Sequence, residues 1–273
     1  MLIKNYFEKL KRIVLSRLLL RSGLAKYYYY VFRPQYLNAD HNIDCKKLSH
    51  YIACMDLIEG WFLKEAAQLF AWIDYIQKKE QIEGNLFEIG VHKGKSTIML
   101  GLMKGSSKER VGACDSFIQN EKNIFMYNFK SYFDDIDFLS VYEKPSNKLT
   151  TTECGKCRFF HIDGGHSADE IFNDLCLAEE SIVQRGIIVI DDVFNVFWPG
   201  VMEGTYKFLT EKKLLSPLLI GFNKLVLCKV EEQKWYLEKL TQEEWEQYIK
   251  VAGLKLIQMD LLEVKVGILG VPF

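Results

Sequence analysis

The chain has 273 residues, with 35 Lys and Arg against 36 Asp and Glu and a formal net charge of −1. Hydrophobic residues make up 49% and charged residues 26%, with 5 Pro and 18 Gly, so the chain is neither disordered nor collagen-like and can bury a full core. The near-zero charge argues against a dedicated nucleic-acid binder, which would carry a strong basic excess, and no nucleic-acid partner is expected.

That balance is uneven along the chain. Residues 1–34 hold eight basic side chains, Lys4, Lys9, Lys11, Arg12, Arg17, Arg21, Lys26 and Arg33, against Glu8 alone, so +7 stands here and −8 in the remainder. Ile3, Phe7, Leu10 and Val14 recur among these cations at helical spacing, which reads as a basic amphipathic helix. Such a helix either makes peripheral contact with an anionic membrane, or packs on the domain itself or on a partner subunit of a homo-oligomer. No run of 18 apolar residues suggests a spanning helix, no cleavage site follows residues 13–20, and seven cysteines without regular spacing fit a reducing compartment, so a cytoplasmic protein is expected. Cys154 and Cys157 form one C-x-x-C, but no second ligand pair stands at zinc spacing, and the pair reads as a turn before a strand.

A second helical region runs from about residue 46 to 79, broken near Glu59-Gly60-Trp61, with Leu63, Ala66, Ala67, Phe70, Ile73 and Ile76 as its apolar stripe. Residues 1–80 thus read as an N-terminal helical extension or cap, and 81–273 as the main domain. From Asn85 onward, apolar runs of strand length (86–89, 111–114, 138–142, 159–162 and 187–190) alternate with helical stretches such as 96–103 and 168–183. Strand alternating with helix predicts an α/β fold with a parallel sheet covered on both faces. Residues 218–220 and 225–229, around Gly221-Phe222-Asn223, read as a closing antiparallel hairpin. Thr241 and Glu244 form a capping box for a helix through Val251, while 254–273 show no assignable pattern.

In a doubly wound sheet, ligands sit beyond the carboxyl ends of the strands. The first strand runs into Glu88-Ile89-Gly90-Val91-His92-Lys93-Gly94-Lys95-Ser96-Thr97. Gly90 and Gly94 permit a tight turn and close backbone approach, and a helix opening near Ser96 offers free N–H groups. A triphosphate loop, G-x-x-x-x-G-K-[ST], is matched only at Gly94-Lys95-Ser96, because one residue too few separates the glycines, and the carboxylate of Glu88 would repel phosphate. An acid before G-x-x-x-G instead suits a ligand with a cationic amino acid portion. Asp115, ending the second strand, is placed to accept both hydroxyls of an adenosine ribose.

Further along, the fourth strand ends in Asp163-Gly164-Gly165-His166-Ser167 and the fifth in Asp191-Asp192. If those strands are neighbours, Asp163, Asp191 and Asp192 meet, and three carboxylates call for a cation, Mg²⁺ or a similar hard ion. Such an ion would lower the pKa of a substrate hydroxyl, and either Asp191 or Asp192 has the alternative of contacting substrate directly. His166 is either the base that takes the hydroxyl proton or a helix-start histidine bonded to backbone. His161, flanked by Phe160 and Ile162, reads as a core residue, and His92 has no evident partner. The aromatic stretch 193–201 either walls an acceptor pocket or packs under a turn.

Glu59-Gly60-Trp61-Phe62, the stretch 87–97, Ile162-Asp163-Gly164-Gly165-His166-Ser167, 186–192 and Pro199-Gly200-Val201, in that order, resemble class I S-adenosylmethionine-dependent methyltransferases related to macrocin-type sugar O-methyltransferases and cephalosporin-pathway homologues. The resemblance implies a Rossmann-like, doubly wound, mostly parallel seven-stranded sheet. It further implies methyl transfer to an oxygen of a sugar, glycan or other small molecule, with the donor at Glu88, Gly90, Gly94, Ser96 and Asp115. Mg²⁺ is implied at Asp163, Asp191 and Asp192. In the sugar-modifying members a second Asp, two positions after the first metal ligand, is the base; here that position is Gly165, which leaves His166, with Asp163, as the catalytic candidates. Two competing functions remain: a nucleotide hydrolase using Lys95 and Asp191, and a non-catalytic adenosyl-ligand module acting through its amino-terminal helices.

Overall fold

A computed structural model describes residues 45–240, 255–262 and 264–270. The basic helix expected within residues 1–34 and the helix expected from Thr241 lie outside the described residues. The expected apolar runs become β1 (Asn85–Ile89), β2 (Val111–Asp115), β3 (Leu139–Glu143), β4 (Cys157–Ile162) and β5 (Ile182–Asp191). They pair in parallel in the order β3-β2-β1-β4-β5, so the sheet reverses direction of growth between β1 and β4. The expected hairpin is β6 (Leu215–Gly221) and β7 (Lys224–Lys229), with β7 antiparallel to β5.

The seven-strand expectation falls short by two. β8 (Lys255–Leu261) and β9 (Val264–Gly270), from the unassigned carboxyl-terminal stretch, extend the order to β7-β6-β9-β8 and give a nine-stranded sheet. β9 joins β6 through only two register pairs, Leu219 with Gly267 and Ile220 with Ile268. An added edge ribbon needs no covered faces, so its polar Lys255, Gln258 and Asp260 obscure any apolar run.

Helices α1 (Cys45–Cys54), α2 (Lys64–Lys79), α3 (Lys95–Met103), α4 (Glu121–Lys130), α5 (Thr151–Cys154), α6 (Ala168–Ser181), α7 (Pro199–Lys212) and α8 (Gln233–Leu240) cover the sheet. Successive strand side chains point to opposite faces. Leu86, Phe159 and Val189 join the core formed with α1, α2 and α3, while Phe87, Phe160 and Ile190 join the core beneath α6 and α7. The segment read as an extension is therefore, from Leu48 on, one layer of the same core. Phe70 on α2 is fully buried against Phe62 and Phe159, a burial contributing roughly 1.5–3 kcal/mol.

The α2 layer is also tied to the sheet by charge. Arg158, fully buried at the start of β4, meets Asp74 at 2.8 Å and Glu109 at 2.7 Å, and donates to Gln77 and to the Met103 carbonyl. Next to it the C-x-x-C is the expected turn: Gly155 takes φ +68° between α5 and β4, and the Cys157 thiol donates to the Cys154 carbonyl. Burial pushes the Cys154 thiol up to about 12 and Cys157 higher still, so neither is a thiolate ready for metal or redox chemistry. Among the described residues, no helix is long and apolar enough to cross a membrane.

Candidate active site

A cavity of about 1080 Å³ opens at the carboxyl ends of β1, β2, β4 and β5, where the strand order reverses. Gly90 turns the chain out of β1 with φ +88°, and a Cβ there would collide with the Asp163 carbonyl, so no other residue lets the two strand ends lie so close. Gly94, at φ +83°, is the N-cap of α3, and Ser96 in the first turn lines the cavity. The Asp115 carboxylate accepts from the Val91 and His92 N–H groups at 2.7 and 2.8 Å, and from the Phe117 N–H at 2.8 Å. It thereby clamps the glycine loop to β2 while remaining on the cavity wall.

Glu88 requires a correction. It was expected to meet the ligand's cationic portion, but period-two alternation turns it to the α2 face, where it is fully buried. Its register partner on β4 is His161, whose Nδ1 lies 2.7 Å from Glu88 Oε1, and Thr97 donates to the other oxygen. His161 is the core residue expected of it, edge-on to Phe70. His92, expected to lack a partner, stacks on Trp61 with ring centroids 5.7 Å apart and lies 3.4 Å from Glu121. Lys95, on which a phosphate loop would depend, donates to the Gly60 carbonyl at 3.1 Å.

The β4 and β5 ends do meet, yet not as a free triad of carboxylates. Asp163 shares one possible ligand group with His161 and Asp191 and a second with His166 and Asp192, the ligand atoms of each lying within 4.8 Å of one another. Asp191 is ion-paired with Lys224, a side chain 1% exposed at the start of β7, and accepts from Asn223 at 3.0 Å. Burial and then the Asp191 carboxylate hold Asp163 well above the usual carboxylate range, against the pull of Lys224. Sequence reading missed Lys224 because a lysine after a hairpin turn looks like a solvated end. The only available signal was its antiparallel register with Asp191, which needs the pairing of β5 with β7.

On the open side, His166 Nε2 lies 3.3 Å from Asp192 Oδ2, and its ring stacks on Trp198 at 4.2 Å and 12°. Trp198 reaches it because α7 approaches without a side chain in the way: a Cβ at Gly200 would sit 2.5 Å from the His166 carbonyl. Asp192 is held by Asn195 at 2.8 Å and Asn223 at 2.5 Å. A Cβ at Gly165 would lie 2.4 Å from the carboxyl carbon of Glu170, which caps α6 through Ser167. A side chain at position 165 would therefore require the capping carboxylate to move aside. Phe197 and Trp198, from the aromatic stretch, and Trp61 line the mouth, and Phe197 and Trp61 are 80% and 87% exposed.

Residues 87–193 match the Methyltransferase domain family. That span begins at the glycine loop and ends after Asp192, so it contains every site residue singled out from sequence. The fold is shared more widely: the chain is similar in structure to an O-methyltransferase from Bacillus cereus in complex with SAH, at 14% identity and TM-score 0.51 over 75% of this chain and 96% of that one. It is also similar to the SAH-bound Podospora anserina methyltransferase PaMTH1, at 14% identity and TM-score 0.52 over 77% and 95%. The O-methyltransferase NovP matches at 13% identity and TM-score 0.51 over 60% and 78%. No curated protein matches the chain in sequence.

The cavity wall itself tests the fit of a donor. Seven carboxyl side chains, Asp115, Asp163, Asp169, Glu170, Asp174, Asp191 and Asp192, face two lysines, Lys95 and Lys144. That excess attracts a sulfonium and an ammonium and repels a triphosphate. A divalent cation fits as well, between the carboxylates of Asp163 and Asp192 on the open side beside His166, while Asp191 is already matched by Lys224.

Proposed function

We propose that the chain is an S-adenosylmethionine-dependent O-methyltransferase acting on a hydroxyl of a sugar, glycan or other small molecule. The observation that carries this reading is the joining, in one cavity, of the Gly90 loop with Asp115 on one side and the Asp163, His166 and Asp192 group on the other. The family match of residues 87–193 supports methyl transfer, and the O-methyltransferases among its structural relatives support oxygen as the acceptor atom.

Asp115, the turn at Gly90 and the N–H groups opening α3 near Ser96 would hold the donor, which when bound supplies a methyl group on a positively charged sulfur. Asp163 and Asp192 would hold a divalent cation, which would make the acceptor hydroxyl more acidic. His166 takes the hydroxyl proton, and Asp192, 3.3 Å from its Nε2, stabilises the imidazolium that results. Trp198 fixes the plane of the imidazole, and the exposed Phe197 and Trp61 flank the entrance, where an acceptor ring would stack. The basic segment 1–34 brings the domain to a lipid-linked acceptor or to a second subunit. A cytoplasmic location is part of the same reading.

Calorimetry on the full chain tests the donor: S-adenosylmethionine binds and ATP does not, whereas binding of ATP alone would overturn the reading. The base is tested with His166→Ala, which should lower kcat/KM by about 10²–10⁴-fold, with partial recovery on adding imidazole. Unchanged turnover in that variant would remove His166 from the mechanism.

A further inference from the structure

Behind the cavity wall, a second set of polar groups meets a lysine. Glu88 and His161 are fully buried and Lys224 is 1% exposed, and none of them lines the cavity, whereas Asp163, Asp192 and His166 do. The Glu88 carboxylate lies 2.7 Å from His161 Nδ1 and can only accept, so Nδ1 carries the ring proton and Nε2 keeps its lone pair. That Nε2 is buried and has no hydrogen-bond partner among the described residues. His161 also forms a possible ligand group with Asp163 and Asp191, the ligand atoms lying within 4.8 Å of one another. Two carboxylates and a carboxylate-backed imidazole make a donor set for a divalent metal, and this one lies on the side of Phe62 and Phe70, against which the His161 ring packs.

Lys224 brings to this inner group a cation that belongs to the chain. It opens β7 opposite Asp191, directly after Phe222 and Asn223, whose φ of +56° and +65° form the tight turn of the hairpin. Its ammonium pairs with Asp191 and lies 5.4 Å over the Phe62 ring. A divalent ion entering the inner group would have to displace that ammonium or lie beside it as a like charge. We propose that Lys224 is a positioning residue of the reaction: its ammonium fills the inner group and confines the divalent ion to Asp163 and Asp192, on the side where His166 stands. The assignment rests on the divalent ion of the reading above. An ion drawn toward His161 would move into the α2 core and away from an acceptor hydroxyl in the cavity. Asp191 is then the counter-ion of a lysine and not a metal ligand.

The test is metal binding by the full chain, with Co²⁺ counted by equilibrium dialysis and its visible spectrum recorded, since both report the ligand set rather than turnover. The wild type is expected to take up one ion. Lys224→Met, similar in length but uncharged, should take up a second, with new absorption that disappears when His161→Gln is added. Removing both halves of the pair, in Lys224→Met with Asp191→Asn, should return the count to one, bound within about threefold of the wild-type affinity. This paired variant also serves if Lys224→Met alone does not fold, because it leaves no buried charge stripped of its partner. Uptake of two ions by the wild type, or an unchanged count in Lys224→Met, overturns the assignment. Loss of the remaining ion in the paired variant overturns it too, by making Asp191 a metal ligand. Absence of uptake by the wild type overturns the divalent ion of the proposed function, and overturns the role of Lys224 only if Lys224→Met gains no ion either.

Discussion

Strand β4 begins with Arg158 buried between Asp74 and Glu109, and ends against Asp163, Asp191 and Asp192 with Lys224 beside them. Both clusters are built from charges in a low-dielectric setting, yet they are balanced differently. At the start, Arg158 and Lys78 match Asp74 and Glu109, with Lys78 2.8 Å from Asp74 and Arg158 donating to two neutral acceptors as well. At the end, one lysine faces three carboxylates, and burial with the Asp191 charge raises the proton affinity of Asp163. A closed, neutral network fixes α2 and β4 in one geometry. An open one keeps an electrostatic debt that a cation or a positively charged ligand settles, which is why chemistry is assigned to the second.

The sharpest way to break this contrast is to remove the cation at the balanced end. Arg158→Met leaves Asp74 with Lys78 alone and Glu109 with only the Gly105 N–H, and should cost about 3–5 kcal/mol in urea unfolding; a loss below about 1 kcal/mol would show that the network is not structural. At the other end, the contrast predicts the reverse division between activity and stability. Asp163→Asn relieves like-charge crowding, so its melting temperature should hold or rise, while methyl transfer falls at least about 100-fold. A drop in melting temperature with activity retained would assign Asp163 to the fold rather than to the reaction.

A smaller effect refines the picture between these extremes. Asp174 is raised to about 7 in the folded chain, above the ordinary value near 4 for an unfolded aspartate. The folded state then binds more protons than the unfolded state across that window, so its contribution is full below about pH 4 and is lost as pH rises through about 7. Asp174→Leu should flatten that part of the stability profile, as followed by denaturant unfolding at fixed pH steps. A slope unchanged by the substitution would place the titration elsewhere.

How legible the site was depends on which contacts are local. The glycine loop, Asp115 and the residues closing β4 and β5 could be found because each directly follows an apolar run, and strand ends are where a doubly wound sheet binds ligands. Glu88 shows the limit of that rule. Its position near a strand end was right, but its direction follows from counting alternation against a core whose two faces were not yet known. Lys224 and Asn223 were invisible for another reason, since their meeting with Asp191 and Asp192 depends on β7 pairing with β5 across about 30 residues of chain. His92 found its partners in Trp61 and Glu121, again from separate elements.

The sequence by itself determined the α/β class, the alternation of parallel strands with covering helices, the hairpin, the C-x-x-C turn and the place of the cavity. These follow from periodicity, turn residues and chain order, all of which are local. Only the tertiary structure decided the edge ribbon β8 and β9, the inward turn of Glu88 onto His161, the resident cation at Asp191 and the unpartnered nitrogen of His161. Each of those depends on which distant side chain shares a face, a register or a dry pocket, and burial and Coulomb energy act on that spatial neighbour rather than on the neighbour in the chain.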